Sequence, residues 1–388
     1  MTGFEEKLNG IVRRRKQEKA EWKASCPSVE ELLCLQLSGY SSRQIVGMGI
    51  EGNGQLKETA AKAQREMDKA RRILDRQAKA GVITVPYYAD NYPWHFNNLC
   101  NDAPALIHVS GDLGLLNRDD TVAVIGARGA DAEGLDVAYR FAGQAGGQGH
   151  VVISGLALGC DTAAHRGCLD AEGQTVAVVA SGLDITHPKV NKPLQEEIVA
   201  KGGAIVSEHP FGVKANPTRL VARCRMQVAL TRSVIVVQCP IVSGTMYAVR
   251  FAQEYDGDIF GWENDIYAVE YGTWNDMNSG NKFLSAGILR LGGESFQEGA
   301  AQFPRSVGSD AVYSLFPEVC GRLSVGHLLL ECFRDALLLC GFQRVSAAGA
   351  LSEKYRVESW KDGSGRDSAF CGRICGDFLG IPLHDRRS

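Results

Sequence analysis

The sequence predicts an α/β protein built around a doubly wound parallel sheet. Between residues 83 and 300, short β-branched runs alternate with stretches of helical periodicity, which is the pattern of parallel strands joined by right-handed helical crossovers. Several of these runs are almost continuously apolar, as is typical of strands that are buried on both faces. The chain of 388 residues is long enough for two or three domains.

The N-terminal part of the chain is predicted to be helical. Ser28 and Glu31 have the spacing of a capping box, and Gly81 follows a run rich in Ala, Lys, Arg and Glu, as a residue that ends a helix does. The run from Gly47 to Gly52 matches GxGxxG, but no strand precedes it. We therefore predict a glycine-rich turn between two helices rather than a dinucleotide-binding loop.

The sheet is predicted to contain seven strands, which are short and rich in Val and Ile. They span residues 82–86, 121–126, 150–154, 175–180, 204–207, 233–238 and 265–270. The whole chain is then divided into a charged N-terminal tail, a helical domain, the sheet domain and a small α-rich C-terminal domain of uncertain type. The respective bounds are 1–25, 26–82, 83–300 and 305–388.

The composition excludes several classes of protein. The formal net charge of −3 is not that of a polycation, so any nucleic-acid binding would require a local basic patch. The 12 cysteines include no CxxC pair, and neither a metal nor a cofactor is predicted. No apolar run is long enough to span a membrane, and the first residues do not resemble a secretory signal, so we expect a cytoplasmic protein.

The loops after the predicted strands carry the candidate site, because ligands of open α/β sheets bind outside the carboxyl ends of the strands. Glycines in these loops let the backbone approach a ligand, and the cations and the backbone N–H groups at helix starts would bind phosphate. Together they predict an anion-binding surface on one rim of the sheet. Its members are Gly126, Arg128, Ser154, Gly155, Gly159, Lys189, Lys192, Ser243, Gly244 and Thr245.

Asp161 and His165 lie one helical turn apart in the same region and are predicted to pair. A structural hydrogen bond that stiffens the loop is the preferred interpretation, with acid–base chemistry as the alternative. No nucleophile lies at a usable spacing nearby, and the sequence has no Walker lysine motif. No catalytic residue is therefore predicted.

Several short motifs follow one another along the middle of the chain. They include Val122–Arg128, Ser154–Asp161, Gly182–Asp184, Arg223–Arg225 and Ser243–Thr245. In their residues and their order, over more than half of the chain, they resemble the DprA/Smf family of bacterial DNA-processing proteins. The resemblance implies an extended Rossmann-like fold and, more weakly, a small SAM-like domain at the N-terminus.

The same resemblance implies a homodimer that binds single-stranded DNA and helps to load a RecA-type recombinase. Arg128, Arg223 and Arg225 would belong to the DNA-binding region. Phosphate contacts would supply affinity, and one of Tyr247, Phe211 or His187 would stack on a base. The sequence departs from the family pattern at Cys160 and Cys224, where the family has an aliphatic residue and an asparagine.

Three other functions remain open. Divergent members of the family resemble components of anti-phage defence systems that act beside a toxin partner. The fold superfamily also includes phosphoribohydrolases of the LOG type, but the position of their catalytic glutamate is occupied by Ala248, which has no carboxylate for acid–base work. A sensor of small nucleotides would need no catalytic group, and it is the third alternative.

Overall fold

The computed structural model describes residues 27–51, 55–254 and 265–285, together with the backbone of 290–291, 294–295 and 305–308. The predicted tail over 1–25 lies outside these residues, and so does the predicted α-rich C-terminal domain over 305–388 except for 305–308. Within the described ranges, every helix is too short or too polar to cross a membrane.

Four helices form the N-terminal part: α1 (Val29–Leu37), α2 (Ser42–Glu51), α3 (Gln55–Lys62) and α4 (Met67–Lys79). The capping box of α1 is confirmed, because the Ser28 hydroxyl accepts from the Glu31 N–H while the Glu31 carboxylate accepts from the Ser28 N–H. Gly81 follows α4 with a φ of +72°, as predicted.

The prediction of a glycine-rich turn at Gly47–Gly52 is wrong over its described part. Gly47 and Gly49 lie inside α2, which continues to Glu51. Burial of Ile45 and Val46 gives this helix an apolar face, and such packing outweighs the cost of about 1 kcal/mol for each helical glycine.

The main sheet contains nine strands in the described ranges. They are β1 (Ile83–Pro86), β2 (Leu106–Gly111), β3 (Thr121–Ile125), β4 (Val151–Ser154), β5 (Thr175–Val178), β6 (Ala204–Ser207), β7 (Ser233–Val236), β8 (Asp265–Glu270) and β11 (Arg305–Gly308). Their spatial order is β1-β2-β6-β5-β4-β3-β7-β8-β11. Strands β9 (Arg290–Leu291) and β10 (Glu294–Ser295) pair with each other in a separate sheet.

The predicted parallel sheet is confirmed for its central part and is wrong at one edge. Strands β6, β5, β4, β3, β7 and β8 are parallel to one another. Strand β2 was missed by the sequence pattern, and it pairs antiparallel with both β1 and β6. The sheet is therefore mixed, with an antiparallel pair at the edge beside β6.

Helices cover both faces of the sheet. Val122 and Val124 of β3 pack with one pair of helices, α5 (Ala132–Gly147) and α6 (Cys160–Asp170). Ala123 and Ile125 pack with α9 (Cys224–Ala229) and α10 (Gly244–Glu254) on the opposite face. This alternation follows from the two-residue period of a strand. The helices after β3 are α5 (Ala132–Gly147), α6 (Cys160–Asp170), α7 (Lys192–Ala200), α8 (Pro217–Ala222), α9 (Cys224–Ala229), α10 (Gly244–Glu254) and α11 (Ser279–Ser285).

The chain changes direction across the sheet at β3. From β3 it runs through β4 and β5 to β6 on one side, and it then returns to place β7 on the other side of β3. The carboxyl ends of β3 and β7 therefore form the topological switch point, where ligands of open α/β sheets bind.

The N-terminal helices share a core with the sheet. Leu32 and Leu35 of α1 and Ile73 of α4 belong to one continuous apolar cluster with Ile107 of β2 and Val206 of β6. The helical segment is thus packed on the sheet through buried side chains.

Candidate functional site

The loop after β3 lies at the switch point and is fixed by its neighbours. The Ala127 N–H donates to the Gln238 carbonyl at 2.6 Å, and the Ala127 carbonyl accepts from the Cys160 N–H at 3.2 Å. Between these anchored positions and α5, the Arg128 side chain is exposed. No hydrogen bond or ion pair joins the Arg128 guanidinium to any other residue in the described part of the chain, so it is available to a ligand.

Three of the predicted glycines are required by packing inside the protein. A Cβ atom on Gly126 would collide with the Cys160 thiol, and one on Gly155 would collide with the Arg223 guanidinium. Gly159 has a φ of +74° and faces the Ala127 carbonyl. The space beside these glycines is therefore occupied by protein atoms rather than open to a ligand.

Two other glycines of the rim face open space. The nearest atom to a Cβ on Gly129 would be Met277 Cε at 3.9 Å, and a Cβ on Gly244 would meet nothing within 4 Å. Gly244 is a predicted site residue, whereas Gly129 is not one, although it directly follows the predicted Arg128. Ser243 and Thr245 flank Gly244 at the start of α10.

Arg223 lies inside the protein rather than on the rim. Its Nη1 donates to the Val178 carbonyl at 2.6 Å, and its Nη2 lies 3.7 Å from Asp161 Oδ2. Asp161 also accepts from the Ala157 N–H at 3.2 Å. Burial raises the pKa of Asp161, and the Arg223 charge partly offsets that rise. Arg223 thus braces the loop after β4 against the end of β5.

Arg225 is also buried, and its guanidinium forms a forked pair with Glu208. Nη1 and Nη2 each donate to one carboxylate oxygen at 2.7 Å, and Nε donates to the Asp102 carbonyl at 2.9 Å. Burial acts to raise the pKa of Glu208, but the charge and hydrogen bonds of Arg225, with smaller contributions from His209 and Ser42, together outweigh burial and lower that pKa to about 2. The family resemblance implies that Arg223 and Arg225 belong to the DNA-binding region, whereas the structure gives each a carboxylate partner inside the fold.

Asp161 and His165 do not form the predicted pair. His165 is fully buried, and its Nδ1 lies 2.8 Å from the Thr175 hydroxyl, which itself donates to the Val152 carbonyl at 2.7 Å. Because that hydroxyl proton is already used, His165 Nδ1 must be the donor. Burial, followed by the Arg223 charge, lowers the pKa of His165 to about 3. The helix directs Asp161 to Arg223 and His165 to β5.

Lys189 and Lys192 are exposed beyond the end of β5. Lys192 lies 3.7 Å from Glu196 in a solvated pair. The end of the loop after β5, just before α7 begins at Lys192, is held by Asn191. Its Nδ2 donates to the Leu156 carbonyl at 2.9 Å and to the Thr162 hydroxyl at 2.8 Å. The loops after β4 and β5 are therefore linked. Ser154, at the end of β4, is buried and donates to the Val124 carbonyl at 2.8 Å.

The loop after β7 carries exposed apolar side chains that the sequence reasoning missed. Val242 is 91% exposed and Ile241 is 45% exposed. The loop is anchored, because the Ile241 N–H donates to the Ser279 hydroxyl at 3.0 Å and the Cys239 N–H donates to Asn281 Oδ1 at 2.8 Å. No sequence signal distinguishes these residues from core residues, since Ile and Val are usually buried.

The three aromatic side chains predicted as candidates for base stacking differ in their exposure to solvent. Phe211 is buried and lies under the Arg76 guanidinium, 5.7 Å from the ring centroid. Tyr247 on α10 is 47% exposed, and His187 is exposed on the loop after β5. Only Tyr247 and His187 among the three present a ring at the surface.

Residues 83–286 match the family model described as DNA recombination-mediator protein A. The DNA processing protein DprA of Bacillus subtilis is 29% identical over 215 residues, which cover 55% of this chain and 72% of that protein. The DNA processing protein DprA of Streptococcus pneumoniae is 34% identical over 199 residues, which cover 51% of this chain and 69% of that protein.

The fold is similar to the crystal structure of DNA processing protein A from Streptococcus pneumoniae. The TM-score is 0.54 at 24% sequence identity, and the similarity covers 76% of this chain and 95% of that chain. This likeness confirms the Rossmann-like α/β architecture.

Proposed function

The chain belongs to the DNA recombination-mediator protein A family, and from this premise we propose that it binds single-stranded DNA along the carboxyl-end rim of its sheet. The observation that carries the proposal is the exposed Arg128 at the switch point between β3 and β7. A planar guanidinium on a fixed backbone is suited to a forked contact with phosphate.

Other groups on the rim support the same contact surface. Lys189 and Lys192 are exposed after β5, and the backbone at Gly129 and Gly244 is open to an approaching strand. Tyr247 and His187 are available to stack on unpaired bases, which duplex DNA does not offer in the same way. Arg223 and Arg225 would act from behind the rim by holding its loops in place.

The direct test compares single-stranded and duplex DNA over a series of salt concentrations. Each contacted phosphate of a single strand should contribute about −0.7 to the slope of log affinity against log salt. We expect single strands to bind more tightly and with a negative slope. An affinity independent of salt, or a preference for free nucleotides over oligomers, would contradict the proposal and favour a nucleotide sensor.

We further propose that the protein acts without catalysing a reaction. Ala248 is buried on α10 and has no carboxylate to serve as a general acid or base. His165 is held in the core with a pKa of about 3. Incubation with nucleoside monophosphates should therefore release no free base, and release over many turnovers would overturn this part of the proposal.

The biological setting proposed here is cytoplasmic DNA processing and recombination. A homodimer and the loading of a RecA-type recombinase are the partner hypotheses that follow from the family resemblance. Action beside a toxin in anti-phage defence is the alternative setting. Co-purification from cells separates them, because a recombinase partner favours recombination and a toxin partner favours defence.

A further inference from the structure

Helix α4 carries a line of cations on one side. Lys69, Arg72, Arg76 and Lys79 follow one another at intervals of three or four residues, and all four are exposed. Residues at this spacing lie on one face of a helix, within an arc of about 80° at 3.6 residues per turn. We call these four residues the α4 stripe. They extend over about 15 Å of helix at a rise of 1.5 Å per residue.

The C-terminal half of the α4 stripe borders the rim of the sheet. Arg76 Nη2 lies 3.4 Å from Asp184 Oδ2. Asp184 belongs to the loop after β5, which also carries Lys189 and leads into α7 at Lys192. Asp184 accepts from the Gly212 N–H at 2.9 Å, which ties that loop to the loop after β6. The cations of α4 and those of the rim therefore lie along neighbouring elements.

The helix is held firmly beside the rim. The buried Gln77 accepts from the Phe211 N–H at 2.9 Å and donates to the Thr84 hydroxyl at 2.8 Å. These bonds leave from the buried face of α4, so they fix the helix without using the stripe. A cationic surface on a fixed element loses little entropy when it binds.

The existing ion pairs of the stripe are weak enough to be exchanged. Lys69 lies 3.5 Å from Glu66, and the side chains of Lys69 and Arg76 are 56% and 61% exposed. Exposed pairs of this kind contribute little to stability. Arg72 and Lys79 form no ion pair with any residue in the described ranges. Phosphate groups can therefore replace the present partners at small cost.

We propose that the α4 stripe extends the DNA-binding surface, so that a single strand passing over the loop after β5 continues along α4 with its phosphates against these four cations. The proposal rests on the proposed function of the rim. It predicts that the stripe matters only for strands long enough to reach beyond the rim. The complementary charge identifies the occupant as a polyanion, and continuity with the rim identifies it as the same strand.

The test uses the full-length protein with Arg72→Ala and Lys79→Ala combined. The matched control combines Lys62→Ala and Arg71→Ala, which removes the same charge from exposed positions outside the stripe. Arg71 lies on the same helix but well outside the arc of the stripe. Melting temperatures should be equal for both double variants and the unmodified protein, because all four side chains are exposed.

Binding is measured by fluorescence anisotropy with oligothymidylates of about 6 and about 25 nucleotides, the shorter being near the low end of single-strand site sizes. For the longer strand, the stripe variant should bind roughly tenfold more weakly, and its salt slope should be smaller in magnitude by about 1.4, since two phosphate contacts are lost. For the shorter strand, its affinity should equal that of the unmodified protein. The control variant should lose little affinity for either the shorter or the longer oligothymidylate.

Several outcomes would overturn the proposal. An unchanged affinity for the longer strand would show that DNA does not reach α4, and equal losses in the stripe variant and the control would show a general charge effect. Equal losses of affinity for the shorter and the longer oligothymidylate would show that the α4 stripe does not extend the binding surface beyond the rim. In each of these cases the unmodified protein still binds single strands, so the function of the rim stands. Absence of any single-strand binding would instead defeat both proposals together.

Discussion

The proposed binding of DNA by the rim depends most directly on Arg128. Its guanidinium is exposed and has no partner among the described residues, so Arg128→Ala should leave the fold intact. Loss of a charge-assisted contact should weaken single-strand binding by about 1.5–3 kcal/mol. Titration of a labelled oligonucleotide, with a thermal melt of the same sample, measures both effects.

Arg128→Lys serves as the graded control. A lysine keeps the charge but cannot form a fork, so it should recover only part of the lost affinity. If Arg128→Ala instead lowers the melting temperature by many degrees and leaves the salt slope unchanged, Arg128 supports the loop and does not contact DNA.

A second prediction at the level of single residues concerns the effect of substituting glycines of the rim on the stability of the protein. Gly155→Ala should destabilise the protein by about 1–3 kcal/mol, because the new methyl group would collide with the Arg223 guanidinium. Gly129→Ala, which meets nothing nearer than 3.9 Å, should leave the melting temperature almost unchanged. Differential scanning calorimetry of the two variants measures the difference in their stability. Equal destabilisation of both would contradict the packing described for the loop after β4.

Single residues show where prediction from the sequence ends. The loop of Arg128 was located because a glycine motif follows an apolar run, and both signals are local. The burial of Arg225 depends on Glu208, which lies 17 residues earlier on another loop. The sequence of a basic motif does not show whether its charge binds a phosphate or pairs with a carboxylate from a distant part of the chain. The burial of Arg223 and Arg225 could therefore not be predicted.

The Glu208–Arg225 pair acts on several elements at once. It joins the loop after β6 to α9, and Glu208 also accepts from the Ser42 hydroxyl of α2 at 3.2 Å. Because the pKa of Glu208 is lowered to about 2 in the folded protein, the stabilisation that it provides is complete above the pKa of an unfolded glutamate, about 4.3. It is lost as the pH falls from there through about 2.

The expected loss over this range is about 3 kcal/mol in the free energy of unfolding, from a pKa difference of about two units or slightly more. Glu208→Gln should be less stable than the unmodified protein at neutral pH, and the two should converge towards pH 2. Urea unfolding at a series of pH values measures this difference. Glu196→Gln, at an exposed carboxylate, should show no comparable change, and a constant gap for Glu208→Gln would refute the assignment.

At the level of elements, the pattern of the sequence identified the strands that are buried on both faces. Strand β2 was missed because the polar residue His108 interrupts its apolar run. In the fold His108 is nevertheless buried, and its Nδ1 lies 2.9 Å from Nε2 of Gln77 on α4. The antiparallel direction of β2 was equally inaccessible, since the alternation of residues carries no information on which way a neighbouring strand runs. Gly47 and Gly49 were misassigned because packing outweighed local propensity.

At the scale of the whole molecule, we expect the described part of the chain to unfold as one cooperative unit. The apolar residues of α1 and α4 are in one cluster with those of β2 and β6, so opening the helices exposes the sheet. Native-state hydrogen exchange should therefore give similar opening free energies for the slowest amides of α4 and β6. A much lower value throughout α1–α4 would show that the division at residue 82, which stays a prediction, also separates two stability units.

Protein atoms fill the space beside Gly126, Gly155 and Gly159, and this has a consequence for the kind of ligand that can be held. A loop that wraps one phosphate can hold a single nucleotide, whereas a filled rim offers each phosphate only a few contacts. Affinity must then accumulate through repetition, because each contact raises the effective concentration of the next phosphate on the same strand. Such a surface distinguishes a polymer from its monomers by avidity, and it would release a strand by stepwise detachment rather than by opening a lid.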